Sequence, residues 1–133
     1  MGSGRREYRE LAGPLGEWGA SSGSHLLTGG GSGVMAAVSR AFHSVEGRKG
    51  RVIGVLPGDV GTGEPVAPSG YPNQWVEIPI RTHLPLSGEQ GQDPMSRNHL
   101  NVLSADVIVA LPGGAGTRSE VELALEYRRP LMC

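Results

Sequence analysis

The sequence has a single cysteine, Cys133 at its last position, so no disulfide can form within the chain and no multi-cysteine metal site exists. A lone thiol suits a reducing compartment. Lysine is as scarce: Lys49 stands alone, and every other cation is an arginine. No apolar run approaches the roughly 20 residues of a membrane span, and the first residues lack the charged-then-apolar pattern of a signal peptide. Nor does either charge dominate, since 12 Lys and Arg against 13 Asp and Glu leave a formal net charge of −1. The basic footprint of a nucleic-acid binder is missing. The expectation is a cytoplasmic protein with neither a nucleic-acid nor a membrane partner.

What the chain has in quantity is glycine, 22 residues that cluster at junctions without a repeat period. Between them the pattern alternates. Residues 5–20 place Tyr8, Leu11, Leu15 and Trp18 at helical spacing, weakened by Gly13-Pro14. Residues 25–31 ("HLLTGGG") predict a short buried strand, and 32–45 a helix with Val34, Val38, Ala41, Phe42 and Val45 on one face. Residues 51–58 predict a second buried strand, 59–74 a loop, and 75–80 a strand whose Pro79 marks its end or a sheet edge. After a loop over 81–95 come a short helix at 96–104, the strand "ADVIVALPGG", a helix from Thr117 to Arg128, and the start of another strand at the end.

Helices alternating with continuous apolar strands predict an α/β fold over residues 1–133: a Rossmann-like, doubly wound parallel sheet with helices on both faces. Met1-Gly-Ser-Gly has the composition of a loop that follows a first strand, and the chain stops barely into its last one. The expected domain therefore lacks its first strand and its C-terminal end, and a central first strand would leave a gap in the sheet.

In such sheets ligands sit at the carboxyl ends of strands, where both glycine loops lie. The stronger is "LPGGAGTRSE", with Pro112, Gly113, Gly114, Ala115, Gly116 and Thr117 running into Glu120. Glycines let a backbone approach a ligand closely, and amides at a helix start favour an anion. Gly116 is not followed by lysine, which excludes the nucleoside-triphosphate loop. The ordinary alternative is a capping box, with Thr117 as N-cap and Glu120 three residues on. The second loop, Gly30, Gly31, Ser32 and Gly33, fits the dinucleotide fingerprint loosely as Gly31-x-Gly33-x-x-Ala36. The acidic residue that fingerprint requires falls too late, at Asp59 beyond Pro57-Gly58. It is equally a plain strand-to-helix turn.

Arg97-Asn98 opens the helix before the key strand. A guanidinium grips phosphate or carboxylate bidentately, and an amide reads a sugar hydroxyl; the alternative is a solvated helix start. His25, His43, His83 and His99 have no metal-like spacing, and no Ser/His/Asp order can be argued from Ser3 or Ser32. Glu122 and Glu126 with Arg118 form an ordinary solvated helix face.

"TGGGSGVM", "VIGVLPG" and "SRNHLNVLSADVIVALPGGAGTRSEVELAL" together resemble the LONELY GUY (LOG)-like Rossmann family, often labelled "possible lysine decarboxylase". Its PGGxGTxxE hallmark is matched from Pro112 to Glu120. The decarboxylase label fails on the residues, because a pyridoxal phosphate enzyme needs a Schiff-base lysine and Lys49 lies in a charged turn entering a strand. The resemblance implies a homo-oligomer and, in one branch, a phosphoribohydrolase that cleaves the N-glycosidic bond of nucleoside 5′-monophosphates without a cofactor. Glu120 and Arg97 would be catalytic there, with the two glycine loops and Asn98 binding the ligand. That branch carries Arg-Lys where this chain has Arg97-Asn98. The other branch contains the molybdenum cofactor carrier proteins, which would hold a pterin phosphate without turnover; "VEIPIRTHL" and the Arg-Asn pair resemble it.

Overall fold

Apolar runs punctuated by glycine become parallel strands here, but each is shorter than its run. The computed structural model describes residues 6–133. In chain order its elements are α1 (Arg9–Ser21), β1 (Leu26–Thr28), α2 (Val34–His43), β2 (Val52–Leu56), β3 (Ile78–Arg81), a 3₁₀ turn at Gly88–Gln90, α3 (Asn98–Ser104), β4 (Ile108–Val109), α4 (Ala115–Glu126) and β5 (Leu131–Met132). The reading of Met1-Gly-Ser-Gly lies outside the described residues.

All the ladders are parallel. One sheet has the order β1-β2-β3, with Leu26 opposite Val52 and Ile53 opposite Ile78; a second pairs β4 with β5, Ile108 opposite Leu131. Parallel neighbours need a crossover; α2 provides it between β1 and β2 and α4 between β4 and β5, whereas β2 reaches β3 through residues 57–77 without a helix. This is the expected Rossmann-like α/β arrangement. Pro79, which has no N–H to give a ladder, sits on the end strand of its sheet as its chemistry requires.

The strands shorten for local reasons. β1 ends at Thr28 because its Oγ1 accepts the Gly30 N–H at 3.0 Å and Gly30 turns away at φ 75°. The strand expected over 75–80 begins instead at Ile78, since the Asn73 carbonyl takes the Val76 N–H and its side chain takes the Trp75 N–H.

Helix α1 runs straight through Pro14, which the sequence pattern treats as a weakness. Tertiary packing overrides propensity here. Ala12, Gly16 and Ala20 are its buried face, and a Cβ on Gly16 would lie 2.6 Å from the Val38 carbonyl and 2.8 Å from Ala41 Cβ. Only glycine allows α1 and α2 to pack so closely. Ala12, Ala37 and Val38 are joined there by Leu15, Leu26 and Leu111, while Phe42 packs with Ala20 and Val52. Burying one such side chain as Phe42 stabilises by about 1.5–3 kcal/mol. The second core, Val102, Ile108, Leu123 and Ala124, locks α3 and α4 against β4. Arg129 closes that unit by donating to the carbonyls of Leu103 at 2.6 Å and Ala105 at 2.9 Å, at the end of α3. No helix among the described residues is long and apolar enough to cross a membrane.

Candidate functional site

Both glycine loops lead into helices that no side chain caps. Gly33, at φ 65°, is the N-cap of α2 and Gly114 that of α4. The first-turn N–H groups of such helices have no intrahelical acceptor and point toward an anion. In α4 this settles the capping-box alternative. The helix starts at Ala115, so Thr117 is its third residue, not its cap, and Glu120 lies further in. The Thr117 hydroxyl is buried without a hydrogen-bond partner, and Glu120 is only 8 % exposed.

Arg97 and Asn98 stand between the two loops. Arg97, buried at 4 % exposure, aims its Nη2 at the Gly29 carbonyl of the first loop over a long 3.5 Å and donates from Nη1 to Asn98 Oδ1 at 2.6 Å. Asn98 Nδ2 donates to Ser119 Oγ at 3.0 Å, and Ser119 Oγ to the Gly116 carbonyl of the second loop at 3.0 Å. The solvated-start alternative for this pair is therefore wrong, since both side chains are buried. Asn98 has both polar ends engaged inside the protein. Arg97 Nε has no partner, and no ion pair joins Arg97 to a carboxylate among the described residues.

Burial pushes the Glu120 carboxyl above its ordinary value; the Arg97 charge and the Asn101 amide oppose this without cancelling it. Asn101 lies near enough to favour the carboxylate, yet neither its Nδ2 nor its Oδ1 reaches a partner with hydrogen-bond geometry. A buried carboxyl on α4 and a buried guanidinium and buried free amide at the start and middle of α3 thus share the seam that the Asn98–Ser119 bond closes.

The first loop is held from a direction the sequence did not suggest. Asn73 donates from Nδ2 to the Gly31 carbonyl at 2.8 Å and from its backbone N–H to the Gly30 carbonyl at 2.7 Å. Tyr71 lies against Gly31, where an added Cβ would be 3.0 Å from its ring. Ser32 is exposed between the buried Gly31 and Gly33, and Pro112, Gly113 and Gly114 are exposed ahead of α4, as is Ala115 at its first position. Asp59 is engaged in its own turn, where its Oδ1 accepts from the N–H groups of Gly61 and Thr62 and from the Thr62 hydroxyl.

The remaining polar residues are structural. His99 bridges the Tyr127 hydroxyl at 2.7 Å and the Gln92 and Asp93 carbonyls. Arg118 pairs with Glu122 at 2.8 Å on the exposed face of α4. Among the described residues no group of three or more His, Cys, Asp or Glu could hold a metal ion. Asn101, Asn73 and Ser119 are the residues that sequence pattern missed. Asn101 had one signal, its place a helical turn after Arg97 and on the same face.

A family model matches residues 1–133, the SLOG cluster4 family. The chain belongs to that family. The SLOG chain also resembles solved structures. The molybdenum cofactor binding protein of the phototrophic bacterium Rippkaea orientalis is 33% identical with a TM-score of 0.73, over 98% of this chain and 68% of that one. The Moco carrier protein of Chlamydomonas reinhardtii is 34% identical with a TM-score of 0.73, over 98% and 70%. TM1055, a structural genomics target, is 27% identical with a TM-score of 0.73, and the chain spans 61% of its length. No curated protein matches the chain by sequence.

Proposed function

We propose that this SLOG protein binds a small phosphorylated, nucleotide-like ligand across its two glycine loops and hydrolyses the N-glycosidic bond of a nucleoside 5′-monophosphate. The observation that carries the reading is the burial of Glu120. Its side chain caps no helix, and a protein does not desolvate a carboxylate beside a guanidinium without return. The uncapped first turn of α4 anchors the 5′-phosphate, so that binding energy remote from the reacting carbon places the sugar.

A carboxylate with a raised proton affinity is a competent general base near neutral pH. Glu120 takes a proton from water as its oxygen attacks C1′. The C1′–N bond breaks with its electron pair leaving on the base, which is then protonated from solvent. The products are free base and ribose 5-phosphate. Glu120 also faces the positive charge that builds on the sugar, and Arg97 holds the phosphate or the departing base. Proton transfer of this kind contributes about 10²–10⁴-fold.

A second reading, carriage of a pterin phosphate, is favoured by the likeness to two structures named for molybdenum cofactor binding or carriage. It would use the same loops without turnover. Incubation with nucleoside 5′-monophosphates, isopentenyl-adenosine monophosphate among them, followed by chromatography, separates the two. Base released by the parent and not by Glu120→Gln supports hydrolysis. A folded parent that releases none, but quenches the fluorescence of an added pterin phosphate, supports carriage.

A further inference from the structure

We infer that Asn101 is the positioning residue of Glu120, its amide Nδ2 closing onto the carboxylate when the site is occupied. This rests on the reading of Glu120 above, and it concerns a residue outside the glycine motifs. Asn101 is 1 % exposed, and both of its amide atoms lack a hydrogen-bond partner. Buried side-chain polar groups are overwhelmingly paired, because an orphaned one costs about 1–3 kcal/mol. An asparagine kept wholly unpaired in the core is therefore explained by a partner it meets in another state.

Three observations say that Glu120 is that partner. Asn101 is buried one turn along α3 from Asn98, whose amide bonds Ser119, the residue before Glu120 on α4, so the two asparagines share the face turned to α4. Both side chains are buried, and the Asn101 amide favours the Glu120 carboxylate against the burial that raises it, without a hydrogen bond between them. Hydrogen bonds at catalytic groups are often long without ligand and tighten with it. The other asparagine of the helix cannot serve, since Asn98 is spent on Arg97 and Ser119. Arg97 is the charged side chain among the described residues that also acts on Glu120. It supplies charge from one side, and Asn101 supplies direction.

The test is the titration of the Glu120 carboxyl carbon, followed by NMR in the intact chain and assigned with Glu120→Gln. Asn101→Leu, close in shape but apolar, should move that titration upward. Asn101→Asp, which places a second carboxylate there, should move it further in the same direction. On a hydrolysed monophosphate, Asn101→Leu should lower kcat about tenfold with KM little changed. A Glu120 titration indifferent to both substitutions overturns the inference, whatever happens to stability. If the titration shifts but the parent releases no base, hydrolysis fails and the positioning role stands. Should Asn101→Leu not fold, Asn101→Asp, which keeps the side-chain shape, decides alone.

Discussion

Asn98 Nδ2 and Ser119 Oγ lie 3.0 Å apart, and through that bond α3 holds the start of α4. Ser119 passes the tie to the Gly116 carbonyl, while Arg97 extends it from Asn98 toward Gly29. The two phosphate-type loops belong to separate sheets, so no strand pairing sets their spacing. This short polar chain does so together with Leu111, which packs beside Ala37 and Val38 of α2.

The bond can be weighed by removing its acceptor. Ser119→Ala leaves Asn98 Nδ2 buried without a partner, a loss of about 1–3 kcal/mol. The urea midpoint should fall accordingly with an unchanged slope, as for a lost contact without a change in compactness. An unmoved midpoint would mean that Asn98 finds another acceptor and that the tie is dispensable.

Neighbouring glycines of the first loop should fail in different ways. A Cβ on Gly29 would sit 2.6 Å from Arg97 Nη2, the movable end of a long side chain. Gly29→Ala should therefore displace the guanidinium, weakening ligand binding about tenfold with a nearly normal melting temperature. Gly30 is at φ 75°, and a Cβ there would overlap the Leu56 side chain in the core. Gly30→Ala should lower stability by at least about 1–2 kcal/mol before binding is considered. Calorimetry with a monophosphate ligand and a thermal melt on each variant would separate the two, and equal melting losses would refute the distinction.

Two glutamates should pull the pH dependence of stability in opposite directions. Glu120, raised by burial, holds its proton more tightly in the folded state than in the unfolded chain. Its contribution is thus fully present below the ordinary value of 4.5 and is lost as pH climbs toward the folded value. Glu77 runs the other way. Burial pushes it up, but the Val52 N–H and the charges of Arg48 and Arg51 outweigh that and lower it, so its contribution is lost as acid protonates it. Melting curves from about pH 3 to about pH 8, which bracket that ordinary value, should show Glu120→Gln gaining on the parent as pH rises. Glu77→Gln should lose its disadvantage only in acid. Parallel curves for parent and Glu120→Gln would mean that Glu120 is not desolvated.

Much of this was legible in the residues. Continuous runs such as "VIGVL" are buried on both faces, which is the mark of a parallel strand, and glycines mark where strands hand over to helices. The site motifs were legible because backbone approach demands glycine. What escaped was decided by partners distant in sequence. Pro14 is tolerated because Gly16 fits against Val38 and Ala41 on α2, and the strand expected from Trp75 is displaced by Asn73 bending back to Gly30 and Gly31. The capping box was a local pattern that matched by spacing alone; only the start of α4 at Ala115 shows that Thr117 lies inside the helix. Asn101 looked like any polar helix residue until its burial was known.

Arg97 provides the sharpest opposition of stability and function. It is buried, its Nε is unpartnered, and no carboxylate among the described residues pairs with it. Arg97→Met keeps much of the volume and removes the charge. It forfeits the charge-assisted bond to Asn98 Oδ1, about 1.5–3 kcal/mol, but relieves a larger desolvation cost, several kcal/mol, for an ion without a carboxylate partner. The second effect is the larger, so the variant should melt higher than the parent. Ligand affinity should fall at least about tenfold, since a charge-assisted bond to an anion contributes about 1.5–3 kcal/mol. Melting temperature and titration calorimetry on one preparation read both. A variant that melts lower and binds as before would make Arg97 a structural residue and remove the charge from the site.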